Sequence, residues 1–513
     1  MERHVPVLIA GGGTVGLSAA LFLAHHGVPA LLVERQDAPS IHPRATGVGP
    51  RTVEFLREVG IADEVDAVAV DMSTGGLGKF SAVTLAGADL PAEPPVPRQT
   101  VERFGDVSPH VLRGTCPQSR LDRVLLRAAV DRGADVRFGT RLMTFAQEDD
   151  GVVADLDGET VRADYLIAAD GVRSGVRTAL GIGTTGPGDL GRPKLNILFR
   201  ADLTRYTGGR SFVTCDITTP EAPGMLVTVD NATEWIFHVD ADGPLPVARC
   251  AELIRAAVGD PDLDVAVLSA LPWRVRGLLA DRFRDGRVFL AGDAAHAVPP
   301  IGAFGMNTGV ADAHNLAWKL ALVLAGTAGT SMLDTYETER RPVAAMTLEQ
   351  ALLRLGDPRL HWASGAPGRE LRAAAGALHA PVVQLGYRYD STAVIDPQPA
   401  LPSTEDVALD LDGTPGSRLP HRWVAPGVST LDLVRSRFTL LSNADAWLRA
   451  ASSVGVAGSR VDVDGWHAAV GVGADGAVLV RPDGFVAWRA VGARADPEAA
   501  LKEVLSRVLG LVS

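Results

Sequence analysis

Apolar residues fall along this chain in short blocks that switch between two periodicities. Residues 5–10 form a continuous apolar run, the pattern of a parallel strand buried on both faces, and 14–25 carry apolar positions at helical spacing with Gly27 placed to end the helix. A second buried strand is expected at 30–33, so the chain opens with strand, glycine turn, helix and strand. Helical spacing returns at 52–59 and at 118–132, where Leu121, Leu125 and Leu126 share a face; strand-and-turn signals run from 136 to 156, and 164–169 reads as another buried strand. Between 70 and 111 helix signals are sparse, Gly and Pro are frequent, and alternating runs such as 80–85 indicate sheet. From 195 to 271 the pattern is strand-like around one helix at 246–258. A strand at 288–291 precedes a long helix at 307–324 and another at 333–355, in which Arg340, Arg341 and Pro342 mark an irregular point. A Pro-, Asp- and Thr-rich linker at 396–404 leads to a smaller α/β segment from 415, with strands expected at 438–441, 477–480 and 485–488.

Three of the apolar strands end on glycine-and-acid motifs. After the first comes Gly11-Gly12-Gly13-Thr14-Val15-Gly16: Gly11 permits the tight turn, Gly13 lets the backbone approach a pyrophosphate at the helix N-terminus, and Gly16 allows helix and strand to pack closely. Glu34 closes the second strand, where a carboxylate accepts bonds from ribose hydroxyls and repels a 2′-phosphate, so FAD or NAD fits this site and NADP does not. Asp170-Gly171-Val172-Arg173-Ser174 follows the third strand, with Arg173 placed as a fixed cation near cofactor phosphates. Gly292-Asp293-Ala294-Ala295-His296 precedes Pro299-Pro300, the loop Gly302-Ala303-Phe304-Gly305, and Met306-Asn307 at the head of the long helix. A carboxylate beside a glycine-rich loop suits flavin hydroxyls and amide edges, and the helix directs its positive end at a reduced flavin. One glycine fingerprint is weak; three motifs in this order point to one FAD site. His296 and His314 read as hydrogen-bonded framework histidines.

The chain has 513 residues, more than one ordinary core holds. Hydrophobic residues at 46% and charged residues at 21% are ordinary for a soluble globular protein, and a net charge of −12 gives no footprint for nucleic acid or an anionic membrane. Cys116, Cys215 and Cys250 are scattered without CxxC or metal-ligand spacing, so buried free thiols, no metal site and a reducing cytoplasm are expected. The apolar N-terminus is broken by the glycine fingerprint, which argues against a signal peptide, and no other run reaches membrane-spanning length.

The motifs at 11–16, 169–174, 291–300 and 305–307 resemble the single-component (class A) FAD-dependent aromatic hydroxylases of the para-hydroxybenzoate hydroxylase and phenol hydroxylase superfamily. The stretches 312–320, 385–390, 418–421 and 481–489 resemble its aromatic polyketide hydroxylase branch, and the likeness runs through nearly the whole chain. The resemblance implies an α/β protein with a Rossmann-like FAD-binding domain at 1–70, 112–185 and 286–395, an interleaved sheet-rich substrate domain at 71–111 and 186–285, and a thioredoxin-like C-terminal domain at 405–513. Lacking CxxC, that last domain is expected to support packing or a homodimer. The resemblance further implies that Glu34, with Arg35 beside it, binds the adenosine ribose, that Arg44 and Gln118 contact the FAD linker, and that Asp293 holds the ribityl chain. Pro300, Gly305, Met306 and Asn307 would border the flavin, and Asp170 with Arg173 would serve both FAD and NADPH or NADH. Ile301 and Phe304 depart from the smaller or polar residues usual in that loop.

The implied reaction is hydroxylation of an aromatic, polycyclic phenolic or polyketide-type substrate by O2 and NAD(P)H through a flavin C4a-hydroperoxide. Baeyer–Villiger insertion, epoxidation and flavin dehydrogenation without oxygen insertion are the alternatives. No catalytic base is fixed by the sequence: Tyr206, Arg210, Asp216 and His238 lie in the expected substrate domain and read as structural. With one dinucleotide fold, nicotinamide is expected to bind transiently, and the loops at 302–305 and 75–78 to let the flavin move between an accessible and a dry position.

Overall fold

The apolar blocks assemble into two large sheets and a small one in the computed structural model, which describes residues 3–72, 78–90, 107–112, 114–363, 365–402 and 411–511. The first sheet has eight strands. Its centre is parallel: Arg3–Ala10 lies between Ala30–Glu34 and Glu159–Ala168, and Val288–Leu290 pairs on the far side of Glu159–Ala168. Ala30–Glu34, Val288–Leu290 and the second half of Arg3–Ala10 are almost wholly buried, which is why they read as continuous apolar runs. Asp135–Phe138 extends one edge, and the hairpin Leu142–Gln147 and Val152–Leu156 joins antiparallel to Glu159–Ala168. The helices Thr14–His25, Gln118–Asp131 and Phe304–Leu324 bury their apolar residues in the core of this sheet.

The second sheet has seven strands, in the order His296–Ala297, Ala266–Ala280, Thr184–Arg200, Glu234–Asp240, Gly224–Thr228, Thr214–Ile217 and Lys79–Ala82. Lys79–Ala82 runs parallel to Thr214–Ile217, so part of the 70–111 excursion joins a sheet otherwise built more than 100 residues later. One face packs on the helix Val247–Val258. His296–Ala297, which begins at the last residue of the third glycine motif, pairs with Ala266–Ala280 and ties the two sheets together close to Asp293.

The small sheet orders Ala457–Ser459, Thr439–Leu441, Ala477–Val480 and Val486–Ala490, the first pair parallel across the helix Asp445–Ser453 and the rest antiparallel, with Pro497–Val508 packed on it. Buried charges hold this segment to the first sheet's helices. Arg418 donates to Glu54, Arg51 donates to Glu54 at 2.7 Å, Lys319 donates to Glu339 at 2.7 Å, and Arg481 bridges Glu339 and Asp483 at 2.5 and 2.6 Å. Burial pushes the Glu339 carboxyl up, but Arg481 and Lys319 outweigh it and leave it well below the usual carboxylate range.

Several elements differ from the sequence expectation. The long helix starts at Phe304 rather than 307, because Ala303 adopts a left-handed conformation (φ 55°) that ends the loop three residues early. Phe304 and Gly305 are therefore helical; Phe304 is buried against Ala351, Ala380 and Val383, which anchors the segment expected to be loose. Asp334–Gly356 passes through Pro342 as one helix, since Glu339 and Arg340 on the preceding turn are held in buried ion pairs that offset the lost hydrogen bond. Of the 80–85 run only Lys79–Ala82 is strand, and the helix Ala62–Val68 was not anticipated. Gly75, Gly76 and Leu77 lie outside the described residues, as does the end of the 396–404 linker.

Candidate functional site: a flavin cleft at the carboxyl edge

Adjacent parallel strands end side by side, and so do their motifs. Ala169 donates its N–H to the Ala10 carbonyl, Gly11 to Val33 and Ala291 to Ala168, so Gly11, Glu34, Asp170 and Asp293 line one carboxyl edge of the sheet. In doubly wound sheets that edge, where connections diverge, is where ligands sit. Gly11 has φ 112°, and a Cβ there would overlap the Ala169 carbonyl; a Cβ on Gly16 would overlap the Gly11 carbonyl. At Gly13, which caps the Thr14–His25 helix and is exposed, a Cβ would meet nothing within 4 Å. The first and third glycines thus differ: one is required by crowding, the other leaves backbone bare for an incoming group.

Glu34 is oriented by the Gly12 N–H (2.7 Å) and the Gln36 N–H (2.9 Å), while Arg35 beside it is exposed. Asp170 accepts from the Val176 N–H at 3.2 Å through one carboxylate oxygen and leaves Oδ1 buried without a partner. Asp293 remains open to solvent yet is enclosed by protein on most sides; that enclosure pushes its carboxyl up, against the pull of His296 and Arg44. An orphaned carboxylate oxygen, a bare glycine and an enclosed acid on one edge fit a dinucleotide bearing ribose and ribityl hydroxyls.

Pro300 is exposed, and Gly305 and Met306 occupy the first turn of the Phe304–Leu324 helix. The Asn307 amide is engaged within the protein: Oδ1 accepts from the Gly49 N–H (2.8 Å) and the Thr52 hydroxyl (2.7 Å), and Nδ2 donates to the Gly47 and Ala303 carbonyls (3.0 and 2.6 Å). It fastens the loop carrying Arg44 to the helix. Arg44 itself is exposed, within electrostatic reach of His42, Asp122 and Asp293.

Arg173 is exposed, and the guanidinium fixed beside Asp170 is instead Arg177. Arg177 donates to the Val172 carbonyl at 3.0 Å and the Ala294 carbonyl at 2.7 Å, binding the second motif to the third. Its place in the first turn after an Asp-Gly strand end was the available signal. Gln118, expected at the FAD linker, joins Thr14 and Asp122, which the sequence did not mark. Gln118 Nε2 donates to the Thr14 hydroxyl (2.7 Å), which donates to buried Asp122 (2.5 Å). Burial raises the Asp122 carboxyl to about 7, against the Thr14 bond and Arg44.

His296 pairs with Asp312 at 2.7 Å and His314 with Glu58 at 3.0 Å, both as framework histidines. Asp312 also accepts from the Gly292 N–H (3.1 Å) and Arg340 Nε (2.8 Å), so a lone acid in an apolar helix holds the third motif from beneath. In the second sheet Tyr206 and Arg205 bond Asp260, Asp216 pairs with Lys79 at 3.1 Å, and Arg210 donates to the Thr207 carbonyl at 3.3 Å. The three cysteines are buried and free, with burial raising Cys116 and Cys215 to about 12. Among the described residues no cluster of His, Cys, Asp or Glu could hold a metal ion, and no helix is long and apolar enough to cross a membrane.

A discontinuous sheet with three acids at one carboxyl edge, joined through a glycine-motif strand to a second sheet, defines a flavoprotein of the aromatic hydroxylase type. The FAD binding domain family matches residues 4–351, and the family described as aromatic-ring hydroxylase, C-terminal, matches 412–511. The chain belongs to this FAD-dependent aromatic-ring hydroxylase family. It is 42% identical to the tetracenomycin B2 monooxygenase-dioxygenase of Streptomyces olivaceus over 99% of both chains. It is 38% identical to an aklavinone 12-hydroxylase of Streptomyces purpurascens, over 99% of this chain and 98% of that one. Among solved structures, the complex of aklavinone-11 hydroxylase with FAD and aklavinone superposes with a TM-score of 0.87 at 36% identity, covering 99% of this chain and 100% of the other.

Proposed function

We propose that this protein is an NAD(P)H- and O2-dependent flavoprotein monooxygenase that hydroxylates an aromatic, polyketide-type substrate. The observation that carries the reading is the alignment of Glu34, Asp170 and Asp293 at one carboxyl edge, in a chain joined through His296–Ala297 to a second sheet and similar throughout to a tetracenomycin B2 monooxygenase-dioxygenase and an aklavinone hydroxylase. Bound FAD supplies hydride acceptance and oxygen activation. The chain supplies position and exclusion of water.

In this reading Glu34 holds the adenosine ribose, and the N–H groups around Gly13 with Arg44 and Gln118 hold the pyrophosphate. Asp293 would hold the ribityl chain, and the first turn at Gly305 and Met306 would offer its positive helix end to the flavin. Exposed Arg173 is available to the phosphates of a transient NAD(P)H. We assign 1–70, 112–185 and 286–395 to FAD, 71–111 and 186–285 to substrate, and 405–513 to a thioredoxin-like domain whose role is packing, since its buried charges brace the flavin helices.

The test is NADPH oxidation in air by the FAD-loaded enzyme across a panel of polycyclic phenols. At least one should accelerate oxidation and be converted to a product heavier by one oxygen atom. A response flat across the panel, with hydrogen peroxide as the sole oxygen product, would contradict the proposal.

A further inference from the structure

The face of the second sheet turned away from its own helix carries polar groups that the described residues leave unsatisfied. Along Thr184–Arg200, Leu195, Ile197 and Phe199 enter the core shared with Val247–Val258, so alternation places Asn196 on the opposite face. On the antiparallel neighbour Glu234–Asp240, Phe237 and Val239 enter the same core, and His238, in register with Asn196, faces away with it. His42, from the loop after the Glu34 strand, closes over them. Its ring lies beside the Asn196 amide without a well-formed hydrogen bond, and within electrostatic reach of His238.

His42 is 3% exposed and Asn196 6%. Both ring nitrogens of His42, Oδ1 of Asn196 and Nδ1 of His238 are nevertheless buried without a partner. A buried orphan of this kind is destabilising, and native proteins rarely gather several in one place without a ligand or water to satisfy them. Asn196 and His238 belong to the second sheet, whereas His42 and Arg44 belong to the loop that follows the Glu34 strand of the first, so the cluster is built from both sheets' segments, and Arg44 acts on His42 and Asp293 alike. Burial lowers both imidazoles, His238 to about 4, so each is neutral near pH 7 with one N–H and one lone pair. A carboxamide likewise offers both a donor and an acceptor. Neutral groups of mixed character match a hydroxyl beside a carbonyl; of the cations that act on these imidazoles, Lys194 is paired with Asp240 at 2.7 Å, and Arg44 also acts on Asp122 and Asp293.

We propose that His42, Asn196 and His238 form the polar wall of the substrate pocket, pairing with the hydroxyl–carbonyl edge of an uncharged fused-ring substrate and so setting which ring faces the flavin. This deepens the function proposed above and rests on it.

The test is equilibrium binding to the FAD-loaded enzyme, read from perturbation of flavin absorbance, with 1,8-dihydroxyanthraquinone, anthraquinone and anthraquinone-2-carboxylate. The wild type should bind the dihydroxy compound at least about tenfold tighter than either other probe. Asn196→Leu and His42→Phe should lose that discrimination while keeping full FAD occupancy and affinity for plain anthraquinone, and His42→Gln, which restores a donor and an acceptor, should retain it. If Asn196→Leu does not hold FAD, the two His42 variants decide the question. Discrimination equal to wild type in His42→Phe overturns the inference and leaves the proposed function standing. A wild type that binds none of the probes and whose NADPH oxidation none of them stimulates overturns both.

Discussion

Arg177 reaches from the helix after Asp170 to the carbonyl of Ala294, next to Asp293, at 2.7 Å. Two acids that the strand order merely brings near one another are thereby held at a fixed separation. Arg177→Leu should remove charge-assisted bonds worth about 1.5–3 kcal/mol and loosen both loops at once. The expected result is a lower melting temperature together with a raised FAD dissociation constant, measured by calorimetry and flavin fluorescence. Unchanged FAD affinity would mean that the two loops are positioned independently.

Asp293 carries the ribityl assignment. Asp293→Ala should weaken FAD binding by about 1.5–3 kcal/mol, roughly tenfold to a hundredfold in dissociation constant, while circular dichroism stays native because the carboxylate is exposed and its attraction to His296 and Arg44 is not part of a close ion pair. Full flavin content in the purified variant would contradict the assignment.

Much of this site was legible in the chain, and what was missed has a common physical cause. Helix 14–25 and strand 477–480 are reproduced to the residue because their apolar periodicity is set by burial against one sheet. Asp170 and Asp293 could be located because a glycine adjoins each at a strand end, and Glu34 because it closes the strand after the first glycine turn and its helix. Ala303 could not be anticipated in a left-handed conformation, since nothing local favours it in alanine; the next residue, Phe304, is buried against Ala351, Ala380 and Val383, partners that no local pattern reports. Asp312, Glu339 and Arg340 were invisible as a group for the same reason. Their partners come from elements 16 to 142 residues away, and no periodicity reports such pairing. Arg173 is the arginine nearest to Asp170 in the sequence, whereas it is Arg177, one helical turn on, that faces inward.

Glu339 is fully buried between Lys319 and Arg481 and holds the C-terminal segment against the flavin helices. Glu339→Gln preserves shape but leaves two cations short of a counter-charge, a loss of about 3–5 kcal/mol for a broken buried pair. A melting temperature lowered by several degrees, with faster proteolysis between 396 and 412, is the expected outcome. A melt and digestion pattern like wild type would show that the segment is held by its apolar contacts alone.

Asp122 makes the apoprotein sensitive to pH. Its folded-state value, about 7, lies above the ordinary aspartate value of 3.8, so the folded state binds the extra proton. The contribution is therefore fully present below about 4 and lost as pH rises toward 7, at about 1.4 kcal/mol per unit. Asp122→Asn should flatten the fall in urea midpoint between pH 4 and 7. It should also remove any weakening of FAD binding above pH 7, where an ionised Asp122 under Thr14 opposes the pyrophosphate. Parallel pH profiles for the two proteins would place the titrating group elsewhere.

The central claim is that the flavin held at this edge transfers one oxygen atom from O2 to an aromatic ring bound against the second sheet. Turnover of the FAD-loaded enzyme with NADPH, an accepted polycyclic phenol and 18O2 tests it directly by product mass. One 18O per product molecule, with none acquired from labelled water, is the predicted result. A product oxidised without added oxygen, or labelled only from water, would contradict it.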